Sequence, residues 1–166
     1  MREILFRGKA INRDKREYRT DYKNGDWVYG LFMKKYDDRF KNLPAEMSNE
    51  YGVTGIEVDY KTISEYTGLT DKNGNKIFEG DILKYTRTNC HNVYEKEFED
   101  SFKGGDLVTY LEIYYDDTCA AFRHRLYDEN KKLFGSGFLS FQDARADENI
   151  IEVIGNIYDD PELLNK

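Results

Sequence analysis

A chain of 166 residues with 39% apolar and 15% aromatic content is long enough for one domain with its own core, without metal or disulfide support. A formal net charge of −7 and a pI near 5.0 argue against general nucleic-acid binding, which usually needs a basic surface. Two cysteines, Cys90 and Cys119, make no disulfide framework, Met1 to Arg7 holds no apolar signal core, and no stretch approaches the ~20 apolar residues of a membrane span, so a cytosolic, reduced protein with no membrane partner is expected.

Fourteen Tyr and ten Phe carry much of the burial, and such residues suit pleated, half-buried surfaces, so the fold class expected is mainly β. Glu3 to Gly8 alternates around Ile4 and Phe6. Asn24-Gly25 precedes Trp27 to Met33, in which Trp27, Tyr29, Leu31 and Met33 would share one face of a strand. Lys34 to Gly55 is polar, with a lone Pro44, and reads as a loop or long turn. Ile56 to Leu69 admits two readings. Thr62-x-x-Glu65 fits a helix capping box with Gly68 as the C-terminal cap, but the β-rich run Ile56, Val58, Tyr60, Thr62, Ile63, Tyr66 favours strand.

Asp71 to Lys76 is a tight turn, with Asn73-Gly74 as a hairpin signal in which both residues would need positive φ. Ile77-Phe78 and Ile82 to Tyr85 form strand around Gly80-Asp81, where a glycine suggests a bulge or sharp bend. Thr86 to Asp106 is polar and reads as an excursion from the sheet. Leu107 to Tyr115 and Cys119 to Tyr127 are strands joined at Asp116-Asp117. Leu133-Phe134 and Phe138 to Phe141 are short strands around a flexible Gly135-Ser136-Gly137 turn. Ile150 to Ile157 is a last strand, and Asp160-Pro161 starts one short helical turn.

Charge is uneven along the chain. Eight basic residues against four acids make Met1 to Asn24 net +4, and two basic residues against seven acids make Asp143 to Lys166 net −5. The plain reading is a solvated acidic surface with charged edges; the alternative is that the two ends pair between subunits or meet a charged partner.

No catalytic or metal signature survives its spacing. Cys90, His91, Cys119 and His124 lack the paired two-to-four-residue separations of zinc sites, and adjacent residues of a strand point to opposite faces. Nothing supports a Cys-His nucleophile pair, and Gly135-Ser136-Gly137 falls short of a nucleophile elbow. A calcium loop counted from Asp71 would need Gly at its sixth place and Glu at its twelfth, where Lys76 and Ile82 stand. The acidic pairs Asp116-Asp117 and Asp159-Asp160 fit turns and caps. No cofactor and no metal are expected.

Three segments together carry a resemblance: Arg2 to Lys9 followed by Trp27 to Gly30; Thr62 to Gly74 running into Ile77 to Leu83; and Glu152 to Tyr158 with Pro161 to Leu164. In order and wording they resemble the YopX family of phage and prophage proteins. The resemblance implies a single YopX-like domain over 1–166, with a polar insertion near 86–106. It implies an open pseudobarrel of antiparallel strands with short helical caps, in the bacterial host cell, and no established activity or catalytic residues. Asp14 to Lys23 and Thr86 to Asp106 depart from the family pattern.

Among the matching residues, Asp71, Glu79 and Asp81 stand out as polar. Hydrogen bonding within turns and bulges explains them; a polar cleft bordered by Glu79, Asp81 and Asn156 is the functional alternative. The expected function is therefore that of a phage accessory protein, not an enzyme, which binds a host or phage macromolecule or sequesters a small ligand. Sheet edges and Tyr-rich surfaces favour a homo-oligomer. One rival is nucleic-acid binding through the basic N-terminal stretch and Tyr18, Tyr22, Trp27 and Tyr29, disfavoured by the net charge. A second rival is an enzyme built from converging carboxylates.

Overall fold

The computed structural model describes residues 3–11, 22–34, 45–87, 107–138 and 149–164. They form eleven strands in two antiparallel sheets, so the mainly β, antiparallel expectation holds, and neither sheet closes into a barrel. The span read as one domain forms two compact units, Met1–Gly68 and Leu69–Lys166.

The first unit holds β1 (Phe6–Lys9), β2 (Trp27–Lys34), β3 (Ala45–Asn49), β4 (Ile56–Val58) and most of β5 (Ser64–Thr70), which carries the chain into the second unit; their order is β4-β3-β2-β1-β5. Alternation in β2 sends Val28 and Gly30 inward. There Val28 joins Ala10, Ala45, Met47, Ile56 and Val58 in a core flanked by Phe6 and Phe32. Burying a side chain such as Val28, Met47 or Val58 contributes about 1.5–3 kcal/mol. Gly30 faces Asn49 across the sheet, and a Cβ on it would lie 1.7 Å from the Ser48 carbonyl oxygen. Only glycine fits there.

One reading is corrected in this unit, and of the two offered for Ile56 to Leu69 the favoured one, strand, holds in β4 and β5. β3 lies inside the segment 34–55 read as a loop, because Ala45 and Met47, two apart in a polar run, pack under β2. The Thr62-x-x-Glu65 box caps no α-helix. Asp59 instead caps a 3-10 turn, Tyr60–Thr62, accepting the Lys61 N–H at 3.0 Å. The Thr62 hydroxyl donates to the Asp59 carbonyl and accepts the Lys9 N–H.

The second unit holds β6 (Lys76–Phe78), β7 (Asp81–Arg87), β8 (Leu107–Asp116), β9 (Ala121–Tyr127), β10 (Leu133–Phe138) and β11 (Asn149–Asn156). One sheet orders five of these β10-β9-β8-β7-β11. One core cluster, Leu69, Ile77, Leu83, Leu111, Ile113 and Ile151, buries one side. A second, Ile82, Tyr127 and Leu164, gathers Leu163 and Ile157 under the closing 3-10 turn Pro161–Leu164. The read helical start at Asp160-Pro161 is thus one short turn.

The Asp71–Asn75 turn is built differently from the expected hairpin. Only Gly74 has positive φ (83°); Asn73 keeps an ordinary backbone, so a tight turn is followed by one left-handed glycine. Gly80 (φ 79°) makes the expected bend, donating to the Ile113 carbonyl and accepting from the Ile157 N–H. The Gly135-Ser136-Gly137 segment is strand, not a flexible turn. The side chains of Leu126 and His124 on β9 lie over Gly135 and Gly137, within 3.4 Å and 2.9 Å of where a Cβ would sit. The missing side chain at Gly137 makes room for the His124 ring on β9. Of the polar excursion read over Thr86 to Asp106, Thr86 and Arg87 instead continue β7; 88–106, with Cys90 and His91, and residues 1–2 and 12–21 of the basic N-terminal stretch, with Tyr18, lie outside the described residues.

Candidate functional site

Glu79, Asp81 and Asn156 come together around the Gly80 bend of the second unit. Asp81 and Asn156 are opposite each other in the β7–β11 ladder. Asp81 is 1% exposed and accepts the Phe78 N–H at 2.8 Å. Glu79 accepts the Tyr115 N–H at 3.3 Å. The Asn156 side-chain oxygen accepts the Tyr158 and Asp159 N–H groups, and its amide donates to Asp159. This Asx arrangement turns the chain back so that Asp160 Oδ2 and Leu163 press on Gly155, where a Cβ would meet them at 2.6 and 2.8 Å. The three residues share a neighbourhood, and these hydrogen bonds bind strand ends and a cap.

Asp71 behaves alike. Its carboxylate accepts the N–H groups of Asn73 and Asn75 at 2.8 Å, the Asn75 side-chain amide at 3.0 Å and the Val153 N–H at 3.1 Å. Burial pushes its carboxyl pKa up, but the Asn75, Val153 and Asn73 donors outweigh burial and hold it below 3.8.

The outer face of β2 is of the other kind. Opposite the buried Val28 and Gly30, Tyr29, Leu31 and Met33 are 40%, 55% and 53% exposed in a row. Beside them Trp27 is half-buried under two cations from β1. The Arg7 guanidinium lies 4.5 Å and the Lys9 ammonium 5.3 Å from its ring centre. The register makes this inevitable, since Lys9 opposes Trp27 and Arg7 opposes Tyr29. Sequence reasoning placed Trp27, Tyr29, Leu31 and Met33 on one face, and the structure shows that face turned outward.

The second unit carries a cation–aromatic ladder on β8, β9 and β10. Glu112, nearly buried, accepts the Tyr127 hydroxyl at 2.6 Å and Arg125 Nη1 at 2.9 Å, while the Arg125 guanidinium stacks 4.2 Å over Tyr114. Burial, then the bond to Glu112, push the Tyr127 hydroxyl up to about 12. Arg123 donates to Asp116 at 2.9 Å and stacks on Phe138. The Thr118 hydroxyl first, then Arg123, draw Asp116 down to about 2. A shallow cavity of about 400 Å³ opens beside the ladder, lined by Tyr114, Arg125, Leu133, Phe134, Gly135 and Ser136. Sequence reasoning missed this region because the Gly-Ser-Gly run hid the alternation of Phe134, Ser136 and Phe138.

Among the described residues no group of three or more His, Cys, Asp or Glu could hold a metal ion, and no helix is long and apolar enough to cross a membrane. Cys119 is an exposed free thiol in the β8–β9 turn, and His124 is buried on β9.

A family model described as YopX protein matches residues 17–165. Among solved structures, the crystal structure of protein EF1440 from Enterococcus faecalis is similar, at 23% identity over 98% of this chain and 99% of that one, with a TM-score of 0.47. No curated protein matches the chain.

Proposed function

The chain belongs to the YopX family, and from that premise we propose that it is a phage or prophage accessory protein that works by binding, not by catalysis. It acts in the cytoplasm of the bacterial host as a homo-oligomer and engages a host or phage protein through the outer face of β2. The observation that carries this reading is the row Tyr29, Leu31 and Met33, exposed on a strand whose other face is core. Contiguous exposed apolar side chains on a sheet mark interaction sites, and the partly exposed Lys9 beside them supplies a polar edge, while Arg7 is buried against Trp27. The carboxylates that stand out in the sequence, Asp71, Glu79 and Asp81, accept backbone N–H groups of turns and bends, which supports a non-enzymatic role.

The test is capture from phage-infected host lysate with tagged wild-type protein and with Leu31→Asp, the eluates compared by native mass spectrometry. The expected result is a stoichiometric protein partner that Leu31→Asp loses while its circular dichroism stays unchanged. An empty wild-type eluate, or equal capture by both, overturns the reading.

One observation favours a second reading, single-stranded nucleic acid: two cations, the buried Arg7 and the partly exposed Lys9, lie beside two aromatic rings on this face. Both cations already sit on Trp27, which leaves Tyr29 as the exposed ring. Fluorescence anisotropy with single-stranded oligonucleotides at low salt, where charges are least screened, decides it. No binding there ends it.

A further inference from the structure

Strand β10 ends its sheet: among the described residues it pairs with β9 on one side only. Edge strands normally carry charges, proline or a cover that blocks pairing with another chain. This one carries no charge and no proline; its one irregularity is a bulge at Phe134, between Leu133 opposite Tyr127 and Gly135 opposite Leu126, after which Gly135 to Phe138 run in regular register. Leu133, Phe134, Gly135, Ser136, Gly137 and Phe138 are all uncharged in a chain that is 34% charged. Of the four exposed large hydrophobics among the described residues of the second unit, three are its Leu133, Phe134 and Phe138, each more than half exposed.

We infer that β10 is a self-pairing edge: two copies of this chain join their sheets by antiparallel β10–β10 pairing centred on Ser136. A two-fold axis restricts the register, and among the centres it allows, Ser136 is the one that brings the two phenylalanines together. Antiparallel strands related by such an axis keep their faces, so each residue must oppose one an even number of positions away. With Ser136 against Ser136 of the second copy, Phe134 meets Phe138 of the second copy and Phe138 meets its Phe134. Gly135 meets Gly137 in both directions. The result is two aromatic cross-strand pairs flanking a serine pair, with nothing bulky at the glycines.

Charge permits the approach. Arg125 and Arg123, on the strand next to the edge, are neutralised within the chain by Glu112 and Asp116, both at 2.9 Å, and the exposed Lys132 just before β10 falls opposite position 140 of the second copy, so like charges do not confront each other across the axis. The partner that fits is therefore an uncharged strand edge of the same pattern, which a second copy supplies. Leu133, Phe134 and Phe138 together offer on the order of 300 Å² per copy, short of the ~800 Å² per partner of a standard interface. The dimer is accordingly reversible, and its mean mass rises with concentration. This inference rests on the homo-oligomeric part of the reading above, and the two fail separately: a strict monomer sinks both, and an oligomer held elsewhere sinks only the β10 edge.

The experiment is light scattering of the full chain up to tens of micromolar, with Phe134→Lys and Ser136→Lys beside the wild type. It is joined by mild oxidation of Ser136→Cys in a Cys90→Ser, Cys119→Ser background. The expected results are a wild type approaching twice the monomer mass, both lysine variants folded and monomeric, and a Ser136→Cys dimer cross-linked in most chains. A wild type that stays monomeric, lysine variants that still associate, or a Ser136→Cys variant that associates without cross-linking overturns the proposal.

Discussion

Strands β2 and β10 look alike in composition, each mixing glycine with exposed apolar residues, and they do different work. In β2 the glycine is demanded by backbone: Gly30 sits where the Ser48 carbonyl leaves no room for a Cβ. Its neighbours Val28 and Phe32 help hold the core, so β2 is fixed and shows its apolar row as a flat face. In β10 the close approach is by a side chain, the His124 ring lying 2.9 Å from where a Cβ of Gly137 would sit, while Leu126 comes only into ordinary contact at Gly135. Among the described residues, β10 shows its apolar residues along an edge that no other strand pairs. A face suits a partner's side chains, an edge suits a partner's backbone, and the glycines reveal which is which.

The largest expected effect is Gly30→Ala. A Cβ there collides with backbone, so β3 must move. A loss of about 3 kcal/mol or more is expected in denaturant unfolding, and an unchanged midpoint would break the assignment of β2 as the clamped strand. Next is Asp71→Ala, remote from both strands. It strips an acceptor from three backbone N–H groups and the Asn75 amide and should cost about 2–3 kcal/mol. Since the Asp71 pKa is held below 3.8 in the folded chain, its contribution is complete above that value and vanishes as pH falls through the folded pKa. Wild type should therefore lose stability in acid more steeply than Asp71→Asn, measured by urea unfolding across that range. Gly137→Ala comes third, about 1 kcal/mol, because a histidine ring yields where a backbone does not. Smallest in stability is Leu31→Asp, within about 0.5 kcal/mol as a surface change, yet it should abolish partner capture.

The strands were legible wherever alternation met glycine punctuation. Trp27 to Met33, Leu107 to Tyr115 and Ile150 to Ile157 emerge close to their observed bounds because one period decides them. β3 was not, since Ala45 and Met47 are too short a pattern to overcome Glu46, Ser48 and Asn49, and only the cover of β2 makes them core. The turn at Asn73-Gly74 was legible as a turn but not in its backbone, because the carboxylate of Asp71 gathers its N–H groups from within and lets Asn73 stay right-handed. For the candidate site the difficulty runs the other way. Asp81 and Asn156 are conspicuous in the sequence, and burial and hydrogen bonding account for them. Trp27 and Tyr29 were legible as one face, but whether that face looked inward or outward depended on what β1 and β3 place against Val28. Phe134, Ser136 and Phe138 were hidden by glycines whose neighbours, Leu126 and His124, lie on the preceding strand β9 and are set by its register.

The most direct measurement sets binding against stability in one pair of variants. Leu31→Asp and Asp71→Asn are compared with wild type for thermal midpoint and for capture of the lysate partner. The expected result is a double dissociation: Leu31→Asp keeps the wild-type midpoint and captures nothing, and Asp71→Asn unfolds several degrees lower and captures fully below its transition. Capture by Leu31→Asp at the wild-type level would contradict the assignment of the β2 face as the binding surface.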